Sequence, residues 1–373
     1  MPLPAADRGA PYDALLVQSF GGPDGPADVD GFLANVLRGR EVNEERLAEI
    51  RARYLAIGGI SPITAQTEAL RTALASALAS RGLQLPVYVG ARNWHPYLAD
   101  TVTAMAADGV RRALVLVTSA YSSYSGCRQY REDRDRACAQ SSAAGLALDR
   151  IRHYFDHPGF VDAMADNVAT AWDSLAAEGG SPVRIVFTTH SLPQALADRS
   201  GPPEFHGQGT GGAYVAQHRG AAGAVIDRLT QIRPGRYEWE LVFQSRSGAP
   251  TTPWLGPDVN DRLTELAGDG VAAIVLAPIG FVSDHMEVIW DLDVEAAQRC
   301  GELGISVSRA STVGTSAVFV AGLVELVAER VDLVALGMTP VVRSARTPLG
   351  PSWDDCDDTC CPPLMRPRTR ESR

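Results

Sequence analysis

Ten residues decide the fold class: AAIVLAPIGF, at positions 272–281. A short run of small and branched apolar residues that ends at a turn predicts a strand buried on both faces, as in a parallel sheet covered by helices. Five further runs have the same character, at 14–17, 87–89, 113–117, 184–187 and 241–243. Because segments with helical spacing separate the runs, the pattern predicts an α/β protein with parallel sheets.

The order of these runs predicts the domain organisation. Three runs precede residue 150 and three follow a helical stretch, which predicts two doubly wound parallel-sheet domains, at 13–150 and 151–315, after a tail at 1–12. A C-terminal helix at 316–340 is expected to pack back on the first domain. The extension at 341–373 lacks periodicity.

Composition narrows the class of function. The chain has 373 residues, with 45% hydrophobic and 21% charged, which is typical of a globular protein. Its 34 basic residues are all arginines and are outnumbered by 44 acidic ones, and the resulting charge of −10 argues against a nucleic-acid partner. No apolar run is long enough for a bilayer and no secretory signal is visible, so we expect a cytoplasmic monomer without disulfides.

Chemistry-bearing residues follow the predicted strands, where parallel sheets bind ligands. His190 ends one strand and is suited to proton transfer, although a histidine that caps the next helix is the alternative. Glu287, Asp291 and Glu295 follow the last strand with a spacing of four residues, which places three carboxylates on one helix face. Such a face favours passage of a divalent cation, and a solvated acidic helix is the alternative. No dinucleotide or phosphate-loop glycine motif is present, which argues against a nucleotide cofactor.

The first half also offers groups for an acidic ligand. Arg53 and Ser61 lie in one motif, and a guanidinium with a hydroxyl matches carboxylate oxygens. Salt bridges to nearby glutamates are the alternative. Aromatic residues after the strands supply flat apolar surface, although such rings are more often part of a core.

Five segments together resemble the ferrochelatase family: SFGGP (19–23), RYLAIGGISPI (53–63), HSLP (190–193), PWLGPDV (253–259) and PIGFVSDHMEVIWDLD (278–293). The similarity extends from about Asp13 to Arg330. It implies two Rossmann-like domains with a porphyrin cleft between them. It also implies insertion of ferrous iron into a porphyrin with release of two protons.

The resemblance implies roles for individual residues. His190 and Glu287 match the pair to which iron binding and catalysis are assigned, and Asp291 and Glu295 continue the acidic line. Four residues match porphyrin-facing positions: Ser61, Tyr130, Arg53 and Phe20. Phe20 stands where some relatives have a tyrosine that ligates iron, and a phenyl ring cannot do so. The role of His285 stays open.

The cysteines also gain an interpretation from the resemblance. Some family members hold a 2Fe-2S cluster with one internal cysteine and three from a C-terminal extension. Cys127 matches the internal position, and Cys356, Cys360 and Cys361 supply the extension. The adjacent pair departs from the usual spacing, so Cys138 is an alternative to Cys361. Zinc is an alternative metal for the same residues.

The substrate implied by the resemblance is coproporphyrin III, because the chain looks actinobacterial and four propionates suit an arginine-rich rim. Protoporphyrin IX is the alternative substrate. A cobalt or nickel chelatase and a non-catalytic tetrapyrrole carrier are competing functions, and a carrier needs no His190 and Glu287 pair. Transient contact with heme-pathway enzymes is expected.

Overall fold

A computed structural model describes residues 11–39, 42–140, 143, 145–176, 183–207, 209–247, 251–335 and 342–364. Most of the expected tail at 1–12, the end of the expected helix at 316–340 and the last residues of the extension lie outside these ranges.

The first sheet has four parallel strands in the order β2-β1-β3-β4. Their bounds are Ala14–Ser19 (β1), Val87–Ala91 (β2), Arg112–Val117 (β3) and Ala147–Arg150 (β4). Every residue of the central strand β1 is buried, as its uninterrupted apolar run predicts. The edge strand β4 was not predicted, because it is short and half polar.

The second sheet repeats this arrangement, with the order β6-β5-β7-β8 and all neighbours parallel. Its strands are Val183–His190 (β5), Glu238–Gln244 (β6), Ala273–Ala277 (β7) and Ser306–Arg309 (β8). The prediction of two parallel-sheet α/β units is therefore confirmed. The sequence again missed only the short polar edge strand, β8.

Twelve α-helices connect and cover the strands in the described part of the chain. They are α1 (Val29–Val36), α2 (Glu44–Ala56), α3 (Ile63–Ser80), α4 (Leu98–Ala107), α5 (Gln129–Gln140), α6 (Pro158–Ala176), α7 (Gln194–Ala197), α8 (Gly212–Ile232), α9 (Val259–Gly268), α10 (Met286–Val288), α11 (Ala297–Leu303) and α12 (Ala317–Ala335). Two segments are π-helical, Tyr124–Arg128 and Ile289–Ala296. No described helix has the length and apolarity needed to cross a membrane.

One apolar core extends from the first sheet to the second. It includes Leu15 of β1, Phe187 of β5, Phe160 of α6 and Phe319 of α12. Helix α12 contacts both α3 and α6. The shared core joins the two sheets, and the candidate site lies at their carboxyl ends.

Candidate active site

His190 ends strand β5 at the carboxyl edge of the second sheet. Its side chain is 29% exposed, and Nε2 lies 3.6 Å from Oε1 of Glu287. Nδ1 contacts the carbonyl oxygen of Ser191, which only accepts hydrogen bonds, so this nitrogen carries a proton. Burial lowers the pKa of His190, but the Glu287 carboxylate outweighs burial and the pKa is raised. Nε2 is thus directed at a carboxylate, and the pair can bind protons or a cation.

Glu287 lies in the short helix α10, which begins directly after His285. The Glu287 main-chain N–H donates to Nδ1 of His285 over 3.2 Å, so that Nδ1 is unprotonated. Burial lowers the pKa of His285 and favours the neutral ring, with the Glu287 carboxylate opposing this effect. The carboxylate of Glu287 is therefore flanked by two imidazoles.

Apolar contacts with the first domain hold the Glu287 segment. Met286 and Trp290 pack in one cluster with Phe32 of α1 and Tyr54 of α2. Tyr54 is buried, and burial together with the nearby Glu287 raises its pKa. The sequence analysis did not single out Tyr54, although it adjoins Arg53 in the same motif. Glu287 therefore lies where the two domains meet.

Asp291 is the most buried carboxylate of the acidic line, with 5% of the residue exposed. Burial raises its pKa to about 6, and the hydroxyl of Ser245, which donates to Oδ2, opposes the rise. Ser245 has a left-handed backbone (φ 61°), unusual for a residue with a side chain. The surrounding segment is π-helical, whereas the spacing of the carboxylates predicted a regular α-helix.

Arg53 brings a positive charge to the same line. Its guanidinium lies 3.2 Å from Glu295 and 3.8 Å from Asp291, and it also pairs with Glu49 at 3.0 Å. The indole N–H of Trp290 donates to the same Glu295 oxygen over 2.6 Å. The sequence analysis predicted a propionate contact for Arg53. In this structure its partners are carboxylates of the protein. Glu49 lies on the same helix as Arg53, whereas Asp291 and Glu295 lie on the π-helical segment, which is remote in sequence.

Phe20 directly follows β1, and Ser61 lies between α2 and α3. Ser61 is buried, and its main-chain N–H donates to the carbonyl of Pro23 over 2.8 Å. A Cβ atom at Gly22 would lie 2.8 Å from the Ser61 hydroxyl, so the loop after β1 passes directly over this serine. Phe20 packs edge-on against Phe32 of the cluster next to Glu287. The loop after β1 therefore begins at Phe20 and contacts Ser61 through Gly22.

Tyr130 lies deeper than the other predicted porphyrin contacts. It is 4% exposed and belongs to the core beneath the first sheet. The guanidinium of Arg92 covers its ring at 3.9 Å and lies 6.0 Å from the ring of Phe20. The structure thus brings Arg92, rather than the Tyr130 ring, next to Phe20. Arg92 directly follows β2, which is the signal that could have identified it.

Comparison with known proteins bears on this arrangement. The model of the ferrochelatase family matches residues 12–331. The chain belongs to the ferrochelatase family. Coproporphyrin III ferrochelatase of Streptomyces griseus is 51% identical over 356 residues, which cover 95% of this chain and 94% of that protein. The protein of the same name from Leifsonia xyli is 48% identical, covering 94% and 91%. That from Nocardia farcinica is 46% identical, covering 95% and 98%.

Three of the four predicted cluster cysteines lie beyond the region that the ferrochelatase model matches. The structure nevertheless groups the buried Cys127, Cys360 and Cys361 with the half-buried Cys356. The Sγ atoms of the adjacent pair lie 3.8 Å apart. Cys138 instead packs against the core of the first sheet. The described structure thus groups Cys361, rather than Cys138, with the other three thiols.

Nitrogen donors point at three of these sulfur atoms. The Trp353 indole N–H donates to Cys356 Sγ over 3.2 Å, and the Gly201 main-chain N–H to Cys361 Sγ over 3.1 Å. Arg150 lies 3.7 Å from Cys127 Sγ. Among the described residues, no set of three or more His, Cys, Asp or Glu side chains has the geometry to hold a metal ion as it stands. Four cysteine side chains with N–H donors to sulfur fit an iron–sulfur cluster, and four thiolates also fit zinc.

Proposed function

We propose that this chain is a coproporphyrin III ferrochelatase, which inserts Fe²⁺ into coproporphyrin III and releases two protons. The 3.6 Å approach of His190 Nε2 to Glu287 Oε1, between two domains of a ferrochelatase-family chain, carries the proposal. The names of relatives that are 46–51% identical over nearly the whole chain support the choice of porphyrin. The enzyme acts in the cytoplasm, as a monomer that makes transient contact with other heme-pathway enzymes.

His190 accepts protons from the pyrrole nitrogens in this proposal. The two nitrogens lose one proton each as Fe²⁺ enters, so the product carries no added charge and a base must remove two protons in turn. Glu287 replaces water around the incoming iron, because carboxylate and imidazole together bind Fe²⁺ without enclosing it. Asp291 and Glu295 form the route by which Fe²⁺ reaches Glu287. The incoming iron displaces Arg53 from these two carboxylates.

The porphyrin lies against Phe20 and Ser61, and Arg53 faces a propionate after iron has displaced it from Glu295. Tyr130 contributes to porphyrin binding through Arg92. Its ring lies 3.9 Å from the Arg92 guanidinium and supports that group. The propionates of coproporphyrin III match such guanidinium groups.

We also propose that Cys127, Cys356, Cys360 and Cys361 hold a 2Fe-2S cluster. The grouping of the four thiols and the three N–H donors to sulfur support this assignment. When bound, the cluster supplies a one-electron redox centre and ties the C-terminal segment to the first domain. Purified protein should show sulfide and visible charge-transfer absorption, and zinc without sulfide would contradict this assignment.

Anaerobic incubation with Fe²⁺ and either coproporphyrin III or protoporphyrin IX, followed by absorbance, tests the proposed reaction. We expect faster insertion into coproporphyrin III. His190→Ala and Glu287→Ala should each lower turnover by about 100-fold or more, while porphyrin affinity from fluorescence quenching changes little. Glu302→Ala, at an exposed carboxylate of α11, serves as the control. Near-normal turnover in both active-site variants would overturn the roles proposed for His190 and Glu287, and negligible insertion of Fe²⁺ beside Co²⁺ or Ni²⁺ would overturn the proposed reaction.

A further inference from the structure

Four buried side chains behind His190 form a continuous polar cluster: Tyr121, Thr189, Tyr214 and His218. The Thr189 hydroxyl lies 2.8 Å from the Tyr214 hydroxyl and 2.8 Å from His218 Nε2. The Tyr214 hydroxyl donates to the main-chain carbonyl of His190 over 2.8 Å. The ring of Tyr121, from the first domain, stacks on His218 with centroids 3.5 Å apart.

The hydrogen bonds of this cluster have a defined direction. His218 Nδ1 contacts the carbonyl oxygen of Tyr214 over 2.7 Å, so Nδ1 must be the donor. Nε2 of the neutral ring is then an acceptor, and the Thr189 hydroxyl donates to it. Burial lowers the pKa of His218 to about 3, consistent with a neutral ring. The proton of Thr189 is thereby committed to His218, so the single proton of the Tyr214 hydroxyl is shared between the His190 carbonyl oxygen and the Thr189 oxygen.

The same cluster contacts the segment that leads to Glu287. The Tyr121 hydroxyl donates to the carbonyl of Ile279 over 2.9 Å. A Cβ atom at Gly280 would lie 2.2 Å from the Thr189 hydroxyl, so the two main chains touch at this point. Ile279 and Gly280 begin the loop that ends at α10. One polar cluster therefore contacts the main chain of both segments that carry the catalytic pair.

We propose that Thr189, with Tyr214 and His218, is a positioning residue that sets the separation of His190 and Glu287. This inference rests on the proposed function of that pair. A buried hydroxyl with two hydrogen-bond partners restricts the position of the main chain more than apolar packing does. The reason is that losing either bond leaves an unpaired polar group. Displacing a reacting group by about 1 Å can lower turnover by about 100-fold. The cluster touches neither porphyrin nor iron and acts only through His190 and Glu287.

Strand β5 offers a matched control one residue away. Thr188 is as buried as Thr189, but its hydroxyl has no hydrogen-bond partner among the described residues. Thr189→Val and Thr188→Val therefore make the same chemical change in the same strand. Only the first removes the bonds to Tyr214 and His218, whereas Thr189→Ser retains the hydroxyl.

The experiment compares kcat, KM and melting temperature for these three variants with Fe²⁺ and coproporphyrin III. We expect Thr189→Val to lower kcat on the order of 10-fold with KM nearly unchanged. Thr189→Ser should recover most of that loss, and Thr188→Val should behave as wild type. Equal kcat in the two valine variants, or no recovery by serine, would overturn the inference.

Gly280→Ala provides a second route, because its methyl group would press on the Thr189 hydroxyl without removing a polar group. Gly280→Ala should also lower kcat while KM changes little. An unchanged kcat in a folded variant counts against the inference. The failure of the two proposals would look different. If the wild-type protein inserted no iron, the proposed function would fail, and if His190→Ala and Glu287→Ala retained turnover, the proposed roles of that pair would fail. If they abolished turnover while Thr189→Val did not lower it, only the positioning role would fail.

Discussion

Arg53 supplies a single positive charge to carboxylates that the fold collects beside the π-helical segment. Its guanidinium contacts Glu49 and Glu295 and approaches Asp291, which is almost fully buried. Like charges so close together repel, and the arginine offsets that repulsion when no metal is bound. A divalent cation and Arg53 therefore compete for the same oxygens.

This competition predicts a difference in metal-induced stabilisation. In Arg53→Gln the carboxylates lack their cation, so adding Fe²⁺ or Co²⁺ should raise the melting temperature by a few degrees more, about 2–4 °C, than in wild type. Anaerobic thermal melts with and without metal measure the difference. Arg51 lies on the same helix as Arg53, and Arg51→Gln, which removes only an exposed pair with Asp30 of α1, should respond as wild type. An equal response in both variants would contradict a metal route at this line.

Helices α6 and α12 cross at a pair of glycines. A Cβ atom at Gly322 would lie 2.8 Å from the Cα of Gly159 and 2.8 Å from Nδ1 of His157. The two helix backbones are in direct contact there, which no larger residue permits. This crossing joins α12 to the core that both sheets share.

The crossing predicts opposite effects for two glycine-to-alanine changes. Gly322→Ala should lower the free energy of unfolding by about 1–3 kcal/mol, because the helices must separate despite the better helix propensity of alanine. Gly223→Ala in α8, where a Cβ would meet nothing within 4 Å, should raise it by up to about 1 kcal/mol. Urea unfolding measures both values. Equal effects of the same sign would show that close packing is not what requires Gly322.

The C-terminal segment 342–364 docks through polar contacts as well as through its cysteines. Arg150 donates to the carbonyl oxygens of Trp353 and Asp354, and the Ser352 main-chain N–H donates to Asp156. These bonds involve main-chain atoms of the tail, so they do not depend on bound metal. The thiols add a second attachment only if a cluster links them.

Two cysteine variants separate these attachments. Cys127→Ser should abolish the visible absorption of the cluster and make the tail several-fold more susceptible to limited proteolysis, because Cys127 is the proposed ligand that joins the tail to the first domain. Cys138→Ser should keep both the absorption and the protection. Loss of the absorption in Cys138→Ser as well would assign the fourth ligand to Cys138 in place of Cys361. Digestion followed by mass spectrometry locates the cleaved sites.

Buried ionisable groups make the stability of the whole molecule depend on pH. Burial lowers the pKa of His157 from 6.5 to about 4, so between these values the unfolded chain binds more protons than the folded one. The contribution of His157 is complete above pH 6.5 and is lost as the pH falls toward 4. Asp156 acts with the opposite sign in part of this range, because burial raises its pKa to about 6.

Comparison of variants isolates the histidine from these opposing groups. His157→Gln should reduce the loss of unfolding free energy between pH 6.5 and pH 4 by up to about 3 kcal/mol relative to wild type. Denaturant unfolding at several pH values gives the slopes, and parallel curves for wild type and His157→Gln would contradict the prediction.

The sequence by itself determined the fold class and the segments that carry the chemistry. Strands such as Ala14–Ser19 and Ala273–Ala277 were predictable because a doubly buried strand must be apolar throughout, which is a local property. The family followed from motifs of consecutive residues. The short edge strands Ala147–Arg150 and Ser306–Arg309 were missed, because their pairing is set by neighbouring strands and not by their own composition.

Only the tertiary structure decided which of these segments touch. The approach of Arg53 to Asp291, the grouping of Cys361 with Cys127, and the polar cluster behind His190 each join residues remote in sequence. Such contacts depend on how the two domains pack around their shared core, which no local pattern encodes. The buried position of Tyr130 under Arg92 has the same origin, since the exposure of a ring depends on what covers it.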